Sequence, residues 1–346
     1  MRRPAPDDWL GEPPPLAALA RGPEPARIGN VCVGTASWTE RTLLASRSFY
    51  PPAASTPERR LRYYARHFPV VEVDATYYAL PRTAHARAWA ERTPPGFAFG
   101  VKAHAALTDH PLEPGRLDRD LVAELPAALR TRRRVYPRDL PAGVLDEIWR
   151  RFHAALEPLR AAGKLAYVLF QMPPWFTPTR AHAHHLAAVP ARLPGTAVAV
   201  EFRQAGWLAE SRRDRVLDFL GRHGLVYVAV DEPQGTRASV PPVAAVTSDA
   251  LAVVRFHGRR AATWDTPGVT TSERFGYLYQ GDELREWVPR LRELAHRTRT
   301  VHVLMNNCYR HYAVQNAKEL AALLAEPAGS GRDARPQRVA RRTGGS

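Results

Sequence analysis

The sequence has few of the residues that build disulfide frameworks, zinc sites or membrane spans. Its 346 residues include two cysteines, Cys32 and Cys308, which are too few for a disulfide framework and form no C-x-x-C pair. No apolar run approaches the roughly 18 residues that cross a membrane. The first residues, MRRPAPDDWLGEPPP, contain proline and aspartate where a signal peptide has an apolar run, so we expect a cytoplasmic protein that has no membrane partner.

Lysine is also scarce, because only three of the 49 basic residues are lysine, although the formal net charge is +15. Positive charge of this size favours a polyanionic partner, since clustered basic residues neutralise phosphates. The arginines are spread over the whole chain, and no RNA-binding or zinc-finger motif accompanies them. A non-enzymatic nucleic-acid binder that uses the arginine-rich segments is therefore the alternative hypothesis, not the leading one.

Between the chain ends, short apolar runs alternate with amphipathic stretches, which is typical of repeated βα units around a parallel sheet. Eight strands close a barrel, and the G-x-G-x-x-G and Walker loops of many doubly wound sheets are absent. We therefore predict an α/β fold, a single-domain (β/α)8 TIM barrel. The predicted strands span residues 31–38, 70–78, 97–104, 165–174, 197–203, 224–233, 251–259 and 301–307.

The predicted domain covers residues 28–326 and carries an arginine-rich insertion at about 105–145, after the third strand. Residues 1–27 are rich in proline and residues 327–346 form a basic tail without apolar periodicity, so we expect both ends to be flexible. A capping box, Ser55 to Glu58, predicts the start of a helix whose apolar face includes Leu61 and Phe68. Further helices are predicted at residues 82–92, 178–189, 209–223, 281–297 and 310–325.

Most of the predicted strands become polar toward their carboxyl ends, where barrel enzymes build their active sites. Side chains two residues apart share a face of a strand, so VEFR turns Glu201 and Arg203 to one side. The same alternation places the following groups inside the barrel: Glu72, Asp74 and Thr76; Lys102 and His104; Tyr227, Ala229 and Asp231; Val253, Arg255 and His257.

Three interpretations of these residues stay open. The acidic and basic side chains could only neutralise one another in a buried ionic network. The arginines and Lys102 could hold an anionic substrate, because a guanidinium matches phosphate and carboxylate groups and a nearby carboxylate acts as a base. A divalent metal could instead be bound by Glu72, Glu201, Asp231 and His257, although three cationic side chains at the same depth oppose it.

Ordered motifs link the chain to a known family. GTASW, FYPP, VEVDATYY, LFQMPPWF, VEFRQAGW, VDEP, RFHGR and NNCYRHYAVQNA resemble, in this order, the YecE-like family, a domain of unknown function, over residues 29–325. The resemblance implies a TIM barrel and no particular reaction. Asp74 stands where the family usually has asparagine, and Cys308 where histidine is more common. The motif positions are Glu72, Lys102, Gln171, Glu201, Arg203, Asp231, Arg255, His257, Gly258, Asn306 and Asn307.

The leading hypothesis is an enzyme that acts on a small anionic, phosphorylated or carboxylated sugar-like metabolite. We expect Glu201 or Asp231 to be the general base and His257 an acid or base, with Glu72 completing the catalytic set. No cofactor is predicted, a divalent metal is the alternative, and the oligomeric state is not determined by these patterns. The predicted substrate-binding residues are Lys102, Arg203, Arg255, Gln171, Asn306, Asn307 and Tyr77.

Overall fold

The computed structural model describes residues 23–236 and 239–327. Nine strands of the described residues form one sheet. Eight of them are parallel, each within a range predicted from the sequence, namely β1 Val31–Thr35, β2 Val70–Val73, β3 Ala98–Lys102, β4 Leu165–Gln171, β5 Val198–Glu201, β6 Leu225–Asp231, β7 Ala252–Phe256 and β8 Val301–Met305. The ninth, Arg27–Ile28, is antiparallel and pairs with β1. β1 also pairs with both β2 and β8, which closes the sheet and confirms the (β/α)8 barrel.

Helices lie in the connections between the strands and after β8. They are α1 Arg41–Ser46, α2 Pro57–His67, α3 Thr83–Glu91, α4 Arg119–Glu124, α5 Ala127–Arg130, α6 Ala142–Ala155, α7 Glu157–Ala161, α8 Arg180–Arg192, α9 Arg213–Arg222, α10 Ala261–Trp264, α11 Thr271–Arg274, α12 Gly281–Arg285, α13 Val288–Arg297 and α14 Tyr312–Ala325. None of the helices in the described residues is long and apolar enough to span a membrane.

Two helix predictions need correction. The cap of α2 is Thr56, whose side chain accepts a hydrogen bond from the Arg59 amide at 3.2 Å, so the predicted box from Ser55 to Glu58 is displaced by one residue. The predicted helix 281–297 is two helices, α12 and α13. Proline occupies the first turn of α13, where its missing amide hydrogen is not needed, and this favours a new helix start.

The long connection after β3 folds over the barrel as short elements. It contains α4, α5 and an isolated antiparallel bridge between Leu112 and Val135. Regularly spaced leucines, among them Leu121 and Leu125, are buried beneath it and join the core. Residues 1–22 and 328–346, which include most of the predicted flexible ends, lie outside the described residues, whereas Ala26 is buried.

Strand register decides which side chains point into the barrel, because bridged partners lie on the same face. Glu72 is bridged to Gly100, and Gly100 to Tyr167. A side chain at Gly100 would meet the Tyr167 ring at 2.4 Å, so glycine is required for this ring to cross the interior. Gln171 is bridged to Glu201 in the same way. The barrel therefore contains a column of polar groups near the carboxyl ends of β2, β4 and β5.

Candidate active site

A buried arginine joins two carboxylates at the carboxyl ends of the strands. Arg255, on β7, donates from Nη2 to Glu72 Oε1 at 2.5 Å and from Nη1 to Glu201 Oε2 at 2.5 Å. All three side chains are completely buried. Buried charges are tolerated when they are paired and hydrogen-bonded, so this arrangement satisfies the main requirement for placing Arg255 inside a barrel.

A second arginine, Arg203, extends this cluster toward solvent, and its side chain is 9% exposed. Its Nε lies 2.7 Å from Glu201 Oε1, and its Nη1 donates to Glu232 Oε2 at 2.9 Å. The other oxygen of Glu232 accepts from the Val240 amide at 2.7 Å. Two carboxylates thus fix the orientation of the Arg203 guanidinium, and its side chain keeps a small exposed area.

His257 completes the buried group. Its Nε2 lies 3.2 Å from Arg203 Nη2 and 3.3 Å from Glu201 Oε1, and its Nδ1 lies 2.8 Å from Asn306 Nδ2. Burial, followed by the charge of Arg203, lowers the pKa of His257 to about 3. The imidazole is therefore neutral at neutral pH. Its burial and the nearby charge of Arg203 oppose the transfer of a proton to it from a substrate.

The cluster contains three carboxylates and two guanidiniums, and the carboxylates differ in their pKa values. Burial raises the pKa of Glu72 to about 7 against the opposing charge of Arg255, and raises the pKa of Glu232 to about 8 against that of Arg203. Burial also tends to raise the pKa of Glu201, but the charges of Arg255 and Arg203 together hold this pKa well below the usual value. At neutral pH the two guanidiniums consequently outweigh the ionised carboxylates.

Lys102 lies beside this cluster at the end of β3. Its Nζ is 3.7 Å from Asp74 Oδ1 and 4.9 Å from the centre of the Tyr77 ring. The two charged side chains are partly exposed, Lys102 by 15% and Asp74 by 34%. Thr76 fixes the strand end by donating to the Lys102 carbonyl at 2.6 Å. Lys102 and Asp74 are therefore partly accessible to solvent, unlike the fully buried Glu72.

A cavity of about 690 Å³ opens above the cluster. Arg203 and Gln171 reach it from the strand ends, and the Trp264 ring covers the Arg203 guanidinium at 5.1 Å. Volumes of this size accommodate small metabolites. Its lining residues are Gln171, Pro174, Trp175, Thr177, Arg203, Gln204, Trp264, Asp265, Arg274 and Phe275.

The expected inward orientation of Asp231 is wrong. Asp231 is bridged to Phe256, on the outer face, and its carboxylate accepts from Trp287 Nε1 at 2.6 Å and from the Tyr279 hydroxyl at 2.7 Å. Arg259 also donates to it at 2.7 Å. The carboxylate therefore anchors the helical layer to the strand end, and Glu232 faces the cluster in its place.

The predicted substrate-binding residues do not all meet at the mouth. Gln171 accepts weakly from Arg255 at 3.4 Å and also lines the cavity. Asn306 contacts His257, whereas Asn307 donates to the Tyr277 carbonyl and to Asn316 Oδ1, both at 2.8 Å. Asn307 consequently holds the loop after β7 in place and does not contact the cavity lining.

The metal alternative requires Glu72, Glu201, Asp231 and His257 to converge on one point. Asp231 faces the other way, and the Arg255 guanidinium occupies the space between Glu72 and Glu201. Within residues 23–236 and 239–327, no three histidine, cysteine, aspartate or glutamate side chains are grouped to hold an ion. The donor arrangement therefore does not fit the metal ligand set that the sequence suggested.

Several residues of the site were missed from the sequence. Glu232 was overlooked because β6 is buried on both faces, so alternation of apolar residues could not show which side faces inward. Trp264, Arg274 and Phe275 lie in and beside the short helices α10 and α11, far along the chain from Arg203, and no local pattern marks them as neighbours. The position of Glu232 directly after Asp231 in the motif VDEP was the one available signal.

The sequence of the chain matches a family model over residues 32–339, and the family is described as a protein of unknown function, DUF72. The chain belongs to the DUF72 family. The resemblance to the YecE-like family is confirmed, since that name is consistent with DUF72. A relative, the UPF0759 protein YunF of Bacillus subtilis strain 168, is 31% identical over 297 residues, which cover 85% of this chain and 94% of the relative.

Two solved DUF72 structures share the fold. A DUF72 family protein from Thermotoga maritima MSB8 is 27% identical and has a TM-score of 0.66, with 86% of this chain and 99% of that chain covered. A DUF72 family protein from Enterococcus faecalis V583 is 23% identical and has a TM-score of 0.68, with 86% and 96% covered. The barrel architecture is therefore shared along nearly the full length of these relatives.

Proposed function

We propose that this DUF72 protein is an enzyme that acts on a small anionic metabolite, phosphorylated or carboxylated and sugar-like, at the carboxyl end of its barrel. One observation carries the proposal: Arg203, whose guanidinium is held in place by buried carboxylates, lines a cavity of about 690 Å³. An arginine that is already oriented loses little side-chain freedom when an anion binds, which favours affinity.

The charge of the cluster supports an anionic ligand. Burial keeps Glu232 protonated in most molecules near neutral pH and Glu72 protonated in a fraction of them. The charges of Arg203 and Arg255 are therefore not fully neutralised. Arg274 adds a further guanidinium to the cavity wall. A negatively charged group that contacts Arg203 restores the balance inside a region of low dielectric, where such contacts are stronger than in water.

Proton transfer is assigned to the partly exposed pair Asp74 and Lys102. Their charges lie 3.7 Å apart at the end of the barrel, and Asp74 is the more exposed of the two. Glu72, with a pKa near 7 and with both of these charges acting on it, supplies a proton reservoir beneath them. The roles first expected for Glu201 and His257 become structural in this proposal, because neither side chain is exposed.

The test is a thermal-shift screen with phosphate, sugar phosphates and sugar acids. A ligand at 100 times its dissociation constant adds about 2.7 kcal/mol to the stability of the folded state. We expect at least one anion to stabilise the wild type, with weaker stabilisation of Arg203→Lys and Arg274→Gln. Arg285→Gln is the matched control, because Arg285 is exposed, pairs with Asp282 and lies outside the cavity lining. The proposal would be overturned if an anion stabilised all four proteins equally, or if no anion stabilised the wild type.

A further inference from the structure

A second cavity, of about 350 Å³, adjoins the first, and Trp175 contributes to the walls of both. The second cavity is formed mainly by the segments that follow β2 and β3. Its walls include Tyr77, Tyr78, His110, Arg116, Arg134 and Trp175. Trp175 is therefore shared by the two cavities, and we call the second one the aromatic cavity.

Two side chains of the aromatic cavity are unusually exposed. Tyr78 is 53% exposed and Trp175 is 45% exposed, and they are the exposed large apolar side chains within the described part of the chain. Water contact with such rings is unfavourable in proportion to the apolar area. Their position on one cavity, next to a candidate active site, indicates a surface that is covered when a ligand binds.

The rings of this cavity are held in a connected row. Tyr78 contacts Tyr77 at 5.0 Å between ring centres, Tyr77 contacts His110 at 5.3 Å, and His110 contacts Trp175 at 5.7 Å. Interplanar angles of 86°, 83° and 68° make each contact an edge-to-face one, the geometry that aromatic pairs prefer. The exposed rings are thus positioned before any ligand arrives.

Positive charge accompanies the rings. The Arg116 guanidinium lies 5.9 Å from the centre of the Tyr78 ring and pairs with Glu113, while Arg134 has no carboxylate partner among the residues that the structure describes. Burial lowers the pKa of His110 to about 3, so this histidine adds no charge at neutral pH. Aromatic faces with arginine beside them are typical of sites that stack flat rings of anionic compounds.

We propose that the aromatic cavity binds the planar aromatic ring of a substrate whose anionic group contacts Arg203, so that the substrate is a phosphate compound with a flat ring, as a nucleoside monophosphate is. The ring lies against Tyr78 and Trp175, and the sugar spans the junction between the two cavities. This inference rests on the proposed function, because it takes the anion at Arg203 as its starting point.

The experiment compares four probes by isothermal titration calorimetry: AMP, ribose 5-phosphate, phenyl phosphate and adenosine. We expect AMP to bind the wild type at least about tenfold more tightly than ribose 5-phosphate, which corresponds to about 1.4 kcal/mol. In Tyr78→Ala and in Trp175→Ala, we expect the ratio of the AMP affinity to the ribose 5-phosphate affinity to fall to about two or less. Because both side chains are exposed, neither change removes core packing.

Phe219→Ala is the matched control. Phe219 is a partly buried aromatic residue of α9, and its ring centre lies 4.6 Å from that of His223. It lines neither cavity. The AMP to ribose 5-phosphate ratio is expected to stay at the wild-type value in this variant. A fall as large as in Tyr78→Ala would show that the ratio reports general stability and would overturn the inference.

The other outcomes separate the two proposals. Equal binding of AMP and ribose 5-phosphate overturns the aromatic subsite and leaves the anion site intact. Binding of adenosine without any phosphate compound overturns the anion site and, with it, the substrate class inferred here. Binding of phenyl phosphate as tightly as AMP supports the subsite and identifies a simple aryl ring as sufficient. Absence of binding by all four probes overturns the substrate class inferred here, whereas the proposed function is overturned only if the sugar acids and phosphates of the thermal-shift screen also fail.

Discussion

At the scale of single residues, the barrel mouth depends on an unequal number of buried charges. Glu72, Glu201 and Glu232 share the guanidiniums of Arg203 and Arg255. Three ionised carboxylates next to two guanidiniums would leave one buried negative charge unpaired, which is strongly unfavourable. One proton on Glu72 or Glu232 balances these charges, and the raised pKa values of both groups make the site sensitive to pH in the neutral range.

The first prediction concerns this sensitivity. Since burial raises the pKa of Glu72 from 4.5 to about 7, the folded protein holds a proton that the unfolded chain releases. The contribution of this group to stability is therefore complete below pH 4.5 and is lost as the pH rises through 7. Between pH 5 and pH 8 we expect the wild type to lose about 1 to 3 kcal/mol more stability than Glu72→Gln. Urea unfolding at pH 5, 6, 7 and 8 measures this difference.

Glu113→Gln serves as the control for the titration. Glu113 is exposed, and the hydrogen bond and charge of Arg116 lower its pKa, so it stays ionised across the range from pH 5 to pH 8. Its variant should show the same pH dependence as the wild type. Parallel stability curves for Glu72→Gln and the wild type would contradict the raised pKa of Glu72.

Among the elements, the connection between β7 and α12, which contains α10 and α11, decides what covers the cluster. It carries Trp264, which lies over Arg203, and Phe275, whose ring centre is 5.8 Å from that of His257. The loop is anchored at its start, where the Gly258 amide donates to the Tyr279 hydroxyl at 2.8 Å. A change at this anchor is therefore expected to alter both stability and ligand binding.

The second prediction tests the anchor with two glycines. Gly258 and Gly224 both have positive φ, +90° and +66°, but a Cβ at Gly258 would lie 2.6 Å from Tyr277 Cβ, whereas one at Gly224 meets no atom within 4 Å. We expect Gly224→Ala to lower the free energy of unfolding by about 1 to 2 kcal/mol. Gly258→Ala should lower it by about a further 1 to 3 kcal/mol because of the added contact.

Chemical denaturation measures both variants, and the anion screen shows whether the cavity is affected. Weaker anion binding is expected in Gly258→Ala alone, since only this glycine lies at the loop over Arg203. Two variants of equal stability would show that backbone conformation, and not the contact with Tyr277, dominates the effect at Gly258.

At the scale of the whole molecule, the net charge of +15 and the barrel mouth lead to different expectations. Residues 327–346 contain five arginines and one aspartate, and nearly all of them lie outside the described residues. A basic segment of this kind favours weak, salt-dependent association with nucleic acid. The small-molecule site is made by side chains of the barrel and does not need this segment.

The third prediction separates these two properties by deleting residues 327–346. The shortened protein should keep the full anion-induced stabilisation, because Arg203 and the cavity lining are unchanged. Any affinity for nucleic acid should fall after the deletion and should decrease steeply as salt is raised. Fluorescence anisotropy with a labelled single strand, at 50 and 200 mM salt, measures the second property. Loss of anion stabilisation in the shortened protein would place the anion in the tail.

The sequence predicted the barrel well because its evidence is local. β-branched runs and amphipathic helices are recognised within windows of a few residues, so all eight strands fall in the expected ranges. The same local reasoning failed where the inward and the outward face of a strand are equally apolar. β6 is apolar on both faces, so Asp231 was expected inside the barrel, although it binds Trp287 on the outside.

The sequence alone thus determined the (β/α)8 fold, the family and the concentration of charge at the strand ends, since each follows from order and spacing along the chain. Three features became visible in the folded chain: Arg255 joins Glu72 to Glu201, Glu232 faces Arg203, and Trp175 borders two cavities. These pairings join residues far apart in the chain. They depend on distances and burial, which set the pKa values and the open space that a ligand can use.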